Sequence, residues 1–236
     1  MQDQLSEPVT IDDLARTVNF SKFHFARIFR RVTGISPRHF LSAMRMEEAK
    51  RLLVTTSMTV AEISHRVGYT SVGAFTSRFG ANVGLSPTLY RRFKGRAPHI
   101  GEDDSYAGGE SATVDVALCP PCDARLGVTF VGLFANQILE GRPVRCGIVR
   151  QAGSCRLENV PLGRWYVLAA AIDGQHGPVT DPAELAGRQE YVAAHGPFDI
   201  RSADSTLTAT VRLRPRRLTD PPVILALLDT PQGATR

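Results

Sequence analysis

Lysine is nearly missing from this chain: only Lys22, Lys50 and Lys94 stand among its 28 basic residues, an imbalance that reads as genomic base composition. Equally absent is any apolar run near the roughly 18 residues that a membrane-spanning helix needs. The start, Met-Gln-Asp-Gln, has no basic region followed by an apolar one. Together these absences argue against a span or a secretory leader and place the protein in the cytoplasm, with no membrane partner. Cysteine is scarce as well, at Cys119, Cys122, Cys146 and Cys155. In a reducing compartment four thiols do not form a structural disulfide framework. No Ser, His, Asp triad order, paired-carboxylate motif or phosphate-cradling glycine loop appears, so no enzyme activity and no cofactor are expected.

What the chain does have is an ordinary globular composition, 43% hydrophobic and 22% charged, and 236 residues, enough for two modest domains. Its charge is divided unevenly. Through residue 95, 14 Lys or Arg stand against 7 Asp or Glu; from residue 96 onward, 14 basic residues meet 16 acidic ones. The basic surplus lies wholly in the first part, as a module that binds a polyanion requires, although a solvated basic surface has the same composition.

That first part repeats itself. Ser21-Lys-Phe-His-Phe25-Ala-Arg-Ile-Phe29 followed by Gly34-Ile-Ser36-Pro37-Arg-His-Phe40 recurs 50 residues later as Ser71-Val-Gly-Ala-Phe75-Thr-Ser-Arg-Phe79 followed by Gly84-Leu-Ser86-Pro87-Thr-Leu-Tyr90. Each copy follows a short amphipathic stretch opened by Thr10 or Thr59. Thr10 with Asp13 three residues on is an N-cap pattern, and Ile11, Leu14, Ala15 and Val18 have helical spacing. Asn19 and Gly68 occupy the sharp turn that follows, and both residue types tolerate a left-handed backbone. Ser21 caps the next helix, whose Phe25, Ile28, Phe29 and Val32 share one face, and Gly34 ends it. Ser36-Pro37 opens a long helix carrying Phe40, Leu41, Met44, Ala49, Leu52 and Leu53 to about Val54. Its roughly 17 residues span about 25 Å, enough to hold two reading heads apart by much of a DNA turn. A repeated helix, turn, helix unit of this kind points to DNA reading.

These residues resemble the paired helix-turn-helix domain of the AraC/XylS family of transcription regulators, over positions 10–93. The second copy, Val60 to Phe79 with Gly84 to Arg91, carries the family's most distinctive motif. The resemblance implies two recognition helices, Ser21 to Thr33 and Ser71 to Val83, entering successive major-groove segments of double-stranded DNA. By position, base edges fall to Phe23, Ala26 and Arg27 in the first helix and to Val72, Gly73, Ala74 and Ser77 in the second. Phosphate anchoring falls to Lys22, Arg30, Arg31, Arg38, Arg91 and Arg92. Arg27 is the candidate for a bidentate guanine contact, with a phosphate contact or plain surface as the other reading. The second copy departs from the family: Gly80-Ala-Asn82 stands where the first has Arg30-Arg31, and Gly73 and Ser77 replace larger polar residues. The first helix is therefore expected to dominate specificity. Only nine residues precede Thr10, so the family's first helix is either a stub at Gln2 to Ser6 or lies upstream. The resemblance also favours an activator over a repressor, with RNA polymerase as partner and a small-molecule effector as a further possibility.

Residues 95–111, rich in Gly and acidic residues, read as a linker. From Ala112 the pattern is that of strands: Ala112 to Leu118, Val128 to Ala135, Pro143 to Val149, Cys155 to Val160, Trp165 to Ile172, Phe198 to Arg201, Leu207 to Arg214 and Val223 to Leu228. Thr208, Thr210, Arg212 and Arg214 alternate with Leu207, Ala209, Val211 and Leu213, which marks a strand with one wet face. Asp181 to Gly187 is a short helix or a loop. The expected architecture is a multidomain α and β chain: an all-α double helix-turn-helix domain at 1–94 and an all-β sandwich at 112–236 for effector binding or association. Val128 to Phe134 and Asn159-Val-Pro-Leu-Gly163 are faintly similar to transthyretin-like and carboxypeptidase-regulatory-like sandwich modules, which implies a fold rather than a chemistry. An enzyme or carrier built on the sandwich, with the helices for targeting, is the alternative. Cys119-Pro-Pro-Cys122 has the spacing of half a zinc site, which Cys146 and Cys155 would complete; otherwise the four are small buried side chains. Asp173, His176 and His195 read as loop surface groups.

Overall fold

The computed structural model describes residues 10–106, 108–150, 153–174 and 190–228. The expectations for Gln2 to Ser6, Asp181 to Gly187 and His176 fall outside these residues. Six helices come first: α1 (Ile11–Thr17), α2 (Lys22–Thr33), α3 (Pro37–Thr55), α4 (Val60–Arg66), α5 (Val72–Val83) and α6 (Pro87–Arg92). Their boundaries follow the capping residues. Thr10 and Thr59 each form a reciprocal box with Asp13 and Glu62, and Ser21, Ser36, Ser71 and Ser86 each accept a backbone N–H three residues on. No helix among the described residues is long and apolar enough to cross a membrane.

The strands are β1 (Arg96–Ala97), β2 (Ser111–Cys119), β3 (Leu126–Phe134), β4 (Cys146–Val149), β5 (Ser154–Pro161), β6 (Gly163–Asp173), β7 (Glu190–Ile200), β8 (Thr206–Arg212), β9 (Arg214–Pro215) and β10 (Leu227–Leu228). They make a five-stranded sheet of order β4-β3-β6-β7-β9, a three-stranded sheet of order β5-β2-β8, and a parallel β1-β10 pair. The two larger sheets pack face to face. Val114, Val116, Leu157 and Val211 of one sheet meet Val131, Leu133, Val167 and Ala169 of the other. On β8, Thr208, Thr210 and Arg212 face solvent while Ala209 and Val211 are buried, the alternation of a sheet with one wet face.

β7 begins at Glu190, well before the Phe198 expected from propensity. Ala193 and Ala194 are poor strand formers, but antiparallel pairing with β6 over Tyr191 to His195 holds them extended. The larger departure concerns Val223 to Leu228, expected as a sandwich strand. Only Leu227–Leu228 pairs, and it pairs with Arg96–Ala97 rather than with either larger sheet.

The stretch before β10 alternates between two cores. Val223 and Leu225 cover the outer face of the five-stranded sheet beside Phe130, Phe134, Leu168 and Val192. Ile224 and Ala226 point the other way, into the helical core with Met46, Phe79 and Val83. Ile138 joins the helices and Leu139 the sheet, as do Ala97 and Ile100 respectively. Backbone bonds hold this layer together: Ile224 N–H and Leu225 N–H donate to Leu139 O at 2.9 Å, Ala226 N–H to Val83 O at 3.1 Å, and Gly141 N–H to Asn82 O at 2.6 Å. α3 is buried almost all round as a result, through Phe40, Leu41, Ala43, Met44, Met46, Ala49, Leu52 and Leu53.

Polar ties close the seam. Lys50 Nζ donates to Val223 O at 2.8 Å and Leu225 O at 3.4 Å, and desolvation at the seam pulls its pKa down to about 8. Arg216 Nη1 donates to Glu47 Oε1 of α3 and Glu190 Oε2 of β7, both at 2.7 Å. His39 Nε2 meets Glu140 Oε1 at 2.5 Å.

Ile224 is fully buried among helical residues, so Ile224→Ala is expected to cost about 2–5 kcal/mol. Urea unfolding followed by helix-weighted circular dichroism should register that loss in the helical signal; loss confined to a sheet-weighted probe would contradict this packing. The bond to Glu140 raises the pKa of His39 above 6.5, against the opposing pull of desolvation. A raised value means that the pair stabilises the fold fully below pH 6.5 and loses its effect as pH climbs through the folded-state pKa. The stability gap between the native protein and His39→Gln should therefore be widest in mild acid and close toward alkaline pH.

Candidate nucleic-acid interface

Each repeat builds the same small machine from the same parts. In the first unit Phe20 N–H reaches back to Ala15 O at 2.9 Å, and in the second Tyr69 N–H reaches back to Ser64 O at 2.9 Å. The turn between the helices is left-handed in both, with φ of 55° at Asn19 and 82° at Gly68. Behind the second helix stands an aromatic tripod: Phe25, Phe29 and Phe40 have successive ring centroids 5.5 and 5.4 Å apart, and Phe75, Phe79 and Tyr90 repeat it at 5.6 and 5.6 Å. These tilted and edge-on contacts fix how α2 and α5 roll about their axes. Once the phenylalanines face inward, the opposite faces must point to solvent.

Those faces carry the residues expected to read bases. On α2, Phe23 is 79% exposed, Arg27 is exposed and Ala26 is half-buried. On α5, Gly73, Ala74 and Ser77 are exposed and Val72 is half-buried. Arg27 is not a free arm, because its Nη2 donates to His24 Nδ1 at 3.1 Å, and the His24 ring stands edge-on to Phe20 at 4.8 Å. The spacing of three residues puts both on one helix face, a signal present in the sequence but passed over. The arrangement restrains the Arg27 guanidinium beside the His24 ring.

The basic residues divide by environment. Lys22 is exposed, with Nζ 5.5 Å from the centre of the Phe23 ring. Arg30, Arg31 and Arg92 are exposed, the first two in the last turn of α2. Arg38 is exposed at the start of α3. Arg91 is different. Its Nε donates to Leu53 O at 2.9 Å and its Nη2 to Met58 O, so the guanidinium clasps the carbonyls at the end of α3 and the approach to α4. Sequence position alone could not separate this internal use from phosphate anchoring.

The four cysteines do not converge on one site: Cys146 and Cys155 are neighbours, and Cys119 and Cys122 stand apart. Cys119 and Cys122 are exposed at the end of β2, while Cys146 and Cys155 are half-buried on strands of opposite sheets. Among the described residues no group of three or more His, Cys, Asp or Glu could hold a metal ion. Burial, with the charge of Glu102 and the neighbouring Cys155, pushes the Cys146 thiol up to about 12, which keeps it protonated and a poor ligand at neutral pH. His195 is exposed and Asp173 half-buried, but both lie in strands rather than in the loops expected from their flanking residues.

Comparison with known proteins bears on this geometry. A helix-turn-helix domain family matches residues 14–92. The HTH-type transcriptional activator AarP of Providencia stuartii is 32% identical over 91 residues, covering 39% of this chain and 67% of AarP. The lactose operon transcription activator of Staphylococcus xylosus is 34% identical over 83 residues, or 35% of this chain; the chain spans only 30% of that relative's length. Among solved structures, the DNA-binding domain of AdpA in complex with a target DNA is 34% identical, with a TM-score of 0.38, over 39% of this chain and 83% of that one. From the duplicated caps, turns and aromatic tripods and the identity shared with AarP, the chain belongs to the AraC family of transcription regulators.

Proposed function

We propose that the protein is a sequence-specific, DNA-binding transcription regulator that reads two successive major-groove segments, and that it acts as an activator in contact with RNA polymerase. The observation that supports this most is the pairing of two identically mounted second helices, α2 and α5, whose outward faces are uncovered. The activator reading draws on AarP and the Staphylococcus protein, both named as transcriptional activators. The protein is assigned to the cytoplasm, where its DNA lies. The sandwich is assigned to effector sensing or association rather than catalysis.

Within the interface, Arg27 reads a guanine, supported by His24, while Phe23 and Ala26 contact neighbouring bases. Val72, Gly73, Ala74 and Ser77 offer shape and contact with thymine methyls. Lys22, Arg30, Arg31 and Arg92 anchor phosphates, whereas Arg38 lines a recess shared with His39, Arg78 and Glu140. Arg91 is withdrawn from that set because its donors already serve backbone carbonyls.

Selection of bound fragments from random DNA at physiological salt is the direct test; recovery of no enriched motif would end this reading. With an operator in hand, Arg27→Ala should cost about 1–3 kcal/mol of discrimination at one base pair. Ser77→Ala should cost less, and the reverse order would sink the asymmetry between the heads. Arg30→Ala or Arg31→Ala should flatten the dependence of log affinity on log salt by about 0.9. Arg91→Ala should leave that slope unchanged and instead lower folding stability by about 1–3 kcal/mol.

A further inference from the structure

Where the start of α3, the middle of α5 and the β3–β4 loop of the sandwich meet, the surface sinks into a recess of about 380 Å³. Arg38, His39 and Ser42 come from the first turns of α3, Arg78 and Asn82 from α5, and Glu140 from the sandwich loop. Neither Arg38 nor Arg78 has a hydrogen-bond or ion-pair partner among the described residues. Two guanidinium groups thus line one small space. Glu140 presents the opposite need. Its Oε1 is taken by His39, but its Oε2 is buried and has no partner. A buried acceptor without a donor is costly, and a donor arriving from the recess would remove that cost.

We propose that this recess binds a small polar anion that also carries an N–H or O–H donor, in the class of hydroxy acids, amino acids or sugar phosphates. The anionic group lies between Arg38 and Arg78, and the donor lies on Glu140 Oε2. A phosphodiester of the DNA backbone meets only half of this requirement, since it has no donor to offer the carboxylate. The bound molecule touches both reading units and the sandwich at once. Arg38 lies four residues after the Gly34 that ends α2, and Arg78 follows the base-facing Ser77 of α5. Occupancy therefore biases how the two heads are set against each other, and by reciprocity DNA binding biases occupancy. This coupling rests on the regulator reading; the site itself does not.

The test uses the full chain without DNA, titrated calorimetrically and by thermal unfolding with citrate, L-glutamate and glucose 6-phosphate, and with sulfate at matched ionic strength as the anion lacking a donor. At least one of the three donor-bearing probes should bind and raise the unfolding midpoint by about 3 °C at roughly tenfold excess over its Kd. Sulfate should not. Arg38→Ala with Arg78→Ala should weaken that probe by about tenfold or more. Glu140→Gln should bring the affinity of the same probe down toward that of sulfate. The site is overturned if none of the three binds at millimolar concentration, if binding survives the double substitution, or if sulfate does as well. A fall in the salt slope of DNA binding in the double variant, with no probe bound by the native chain, would assign the two arginines to backbone phosphate instead. The second readout is operator affinity with and without the bound probe. Probe binding by a chain that selects no DNA motif would leave the site standing and remove the regulator reading.

Discussion

Both faces of the five-stranded sheet are apolar, and the organisation of the molecule follows from the need to cover the second one. One face is met by the three-stranded sheet, as in any sandwich. The other, formed by Phe130, Phe134, Leu168, Ala170 and Val192, is closed by Ile100, Leu139, Val223 and Leu225. Because side chains of an extended segment alternate, residues that cover the sheet with one set must present the other set outward. Ile224 and Ala226 are that other set, and the helical core accepts them. Two domains that a sequence reading separates are thereby joined through a layer one strand thick, sealed at its edge by Lys50, Arg216 and His39.

The two reading units share a design but not a degree of enclosure. Phe75, Phe79 and Val83 are wholly buried, and α5 joins the same core as Met46, Ile138 and Ile224. In the first unit Phe25 is only half-buried, and Val18, Phe20, Phe23 and Val32 remain exposed. Enclosure and arginine content thus run in opposite directions. The unit that is poor in arginine is rigidly built into the fold, whereas the unit with Arg27, Arg30 and Arg31 stands at its periphery.

Local features were legible wherever local chemistry decides the outcome. Thr10 with Asp13, Ser21, Ser36-Pro37, Asn19 and Gly68 each specify a cap or turn within a few residues, and all fall where spacing places them. The inward aromatics of the two copies were equally plain. Tertiary use was not. Arg91 looks like any arginine at a helix end until the carbonyls of Leu53 and Met58 are brought beside it. Val223 to Ala226 looks like a sandwich strand because alternation does not say what lies on either side. A signal for the hidden layer was nonetheless present. Phe130 to Phe134 and Val167 to Ala171 are unbroken apolar runs, the mark of strands covered on both faces, whereas Leu207 to Arg212 alternates as a strand with a wet face does.

The origin of that layer has a consequence for the order of assembly. Ile224 and Ala226, which complete the core of the helices, are made only after strands β2 to β9 of the sandwich. A nascent chain carries its helices with an apolar groove still open, and the groove closes when Val223 to Ala226 are delivered back to α3 and α5. Completion of the helical core is in this way tied to synthesis of Val223 to Ala226. A product interrupted within the sandwich would carry all six helices in sequence and lack the residues that close the core around α3 and α5.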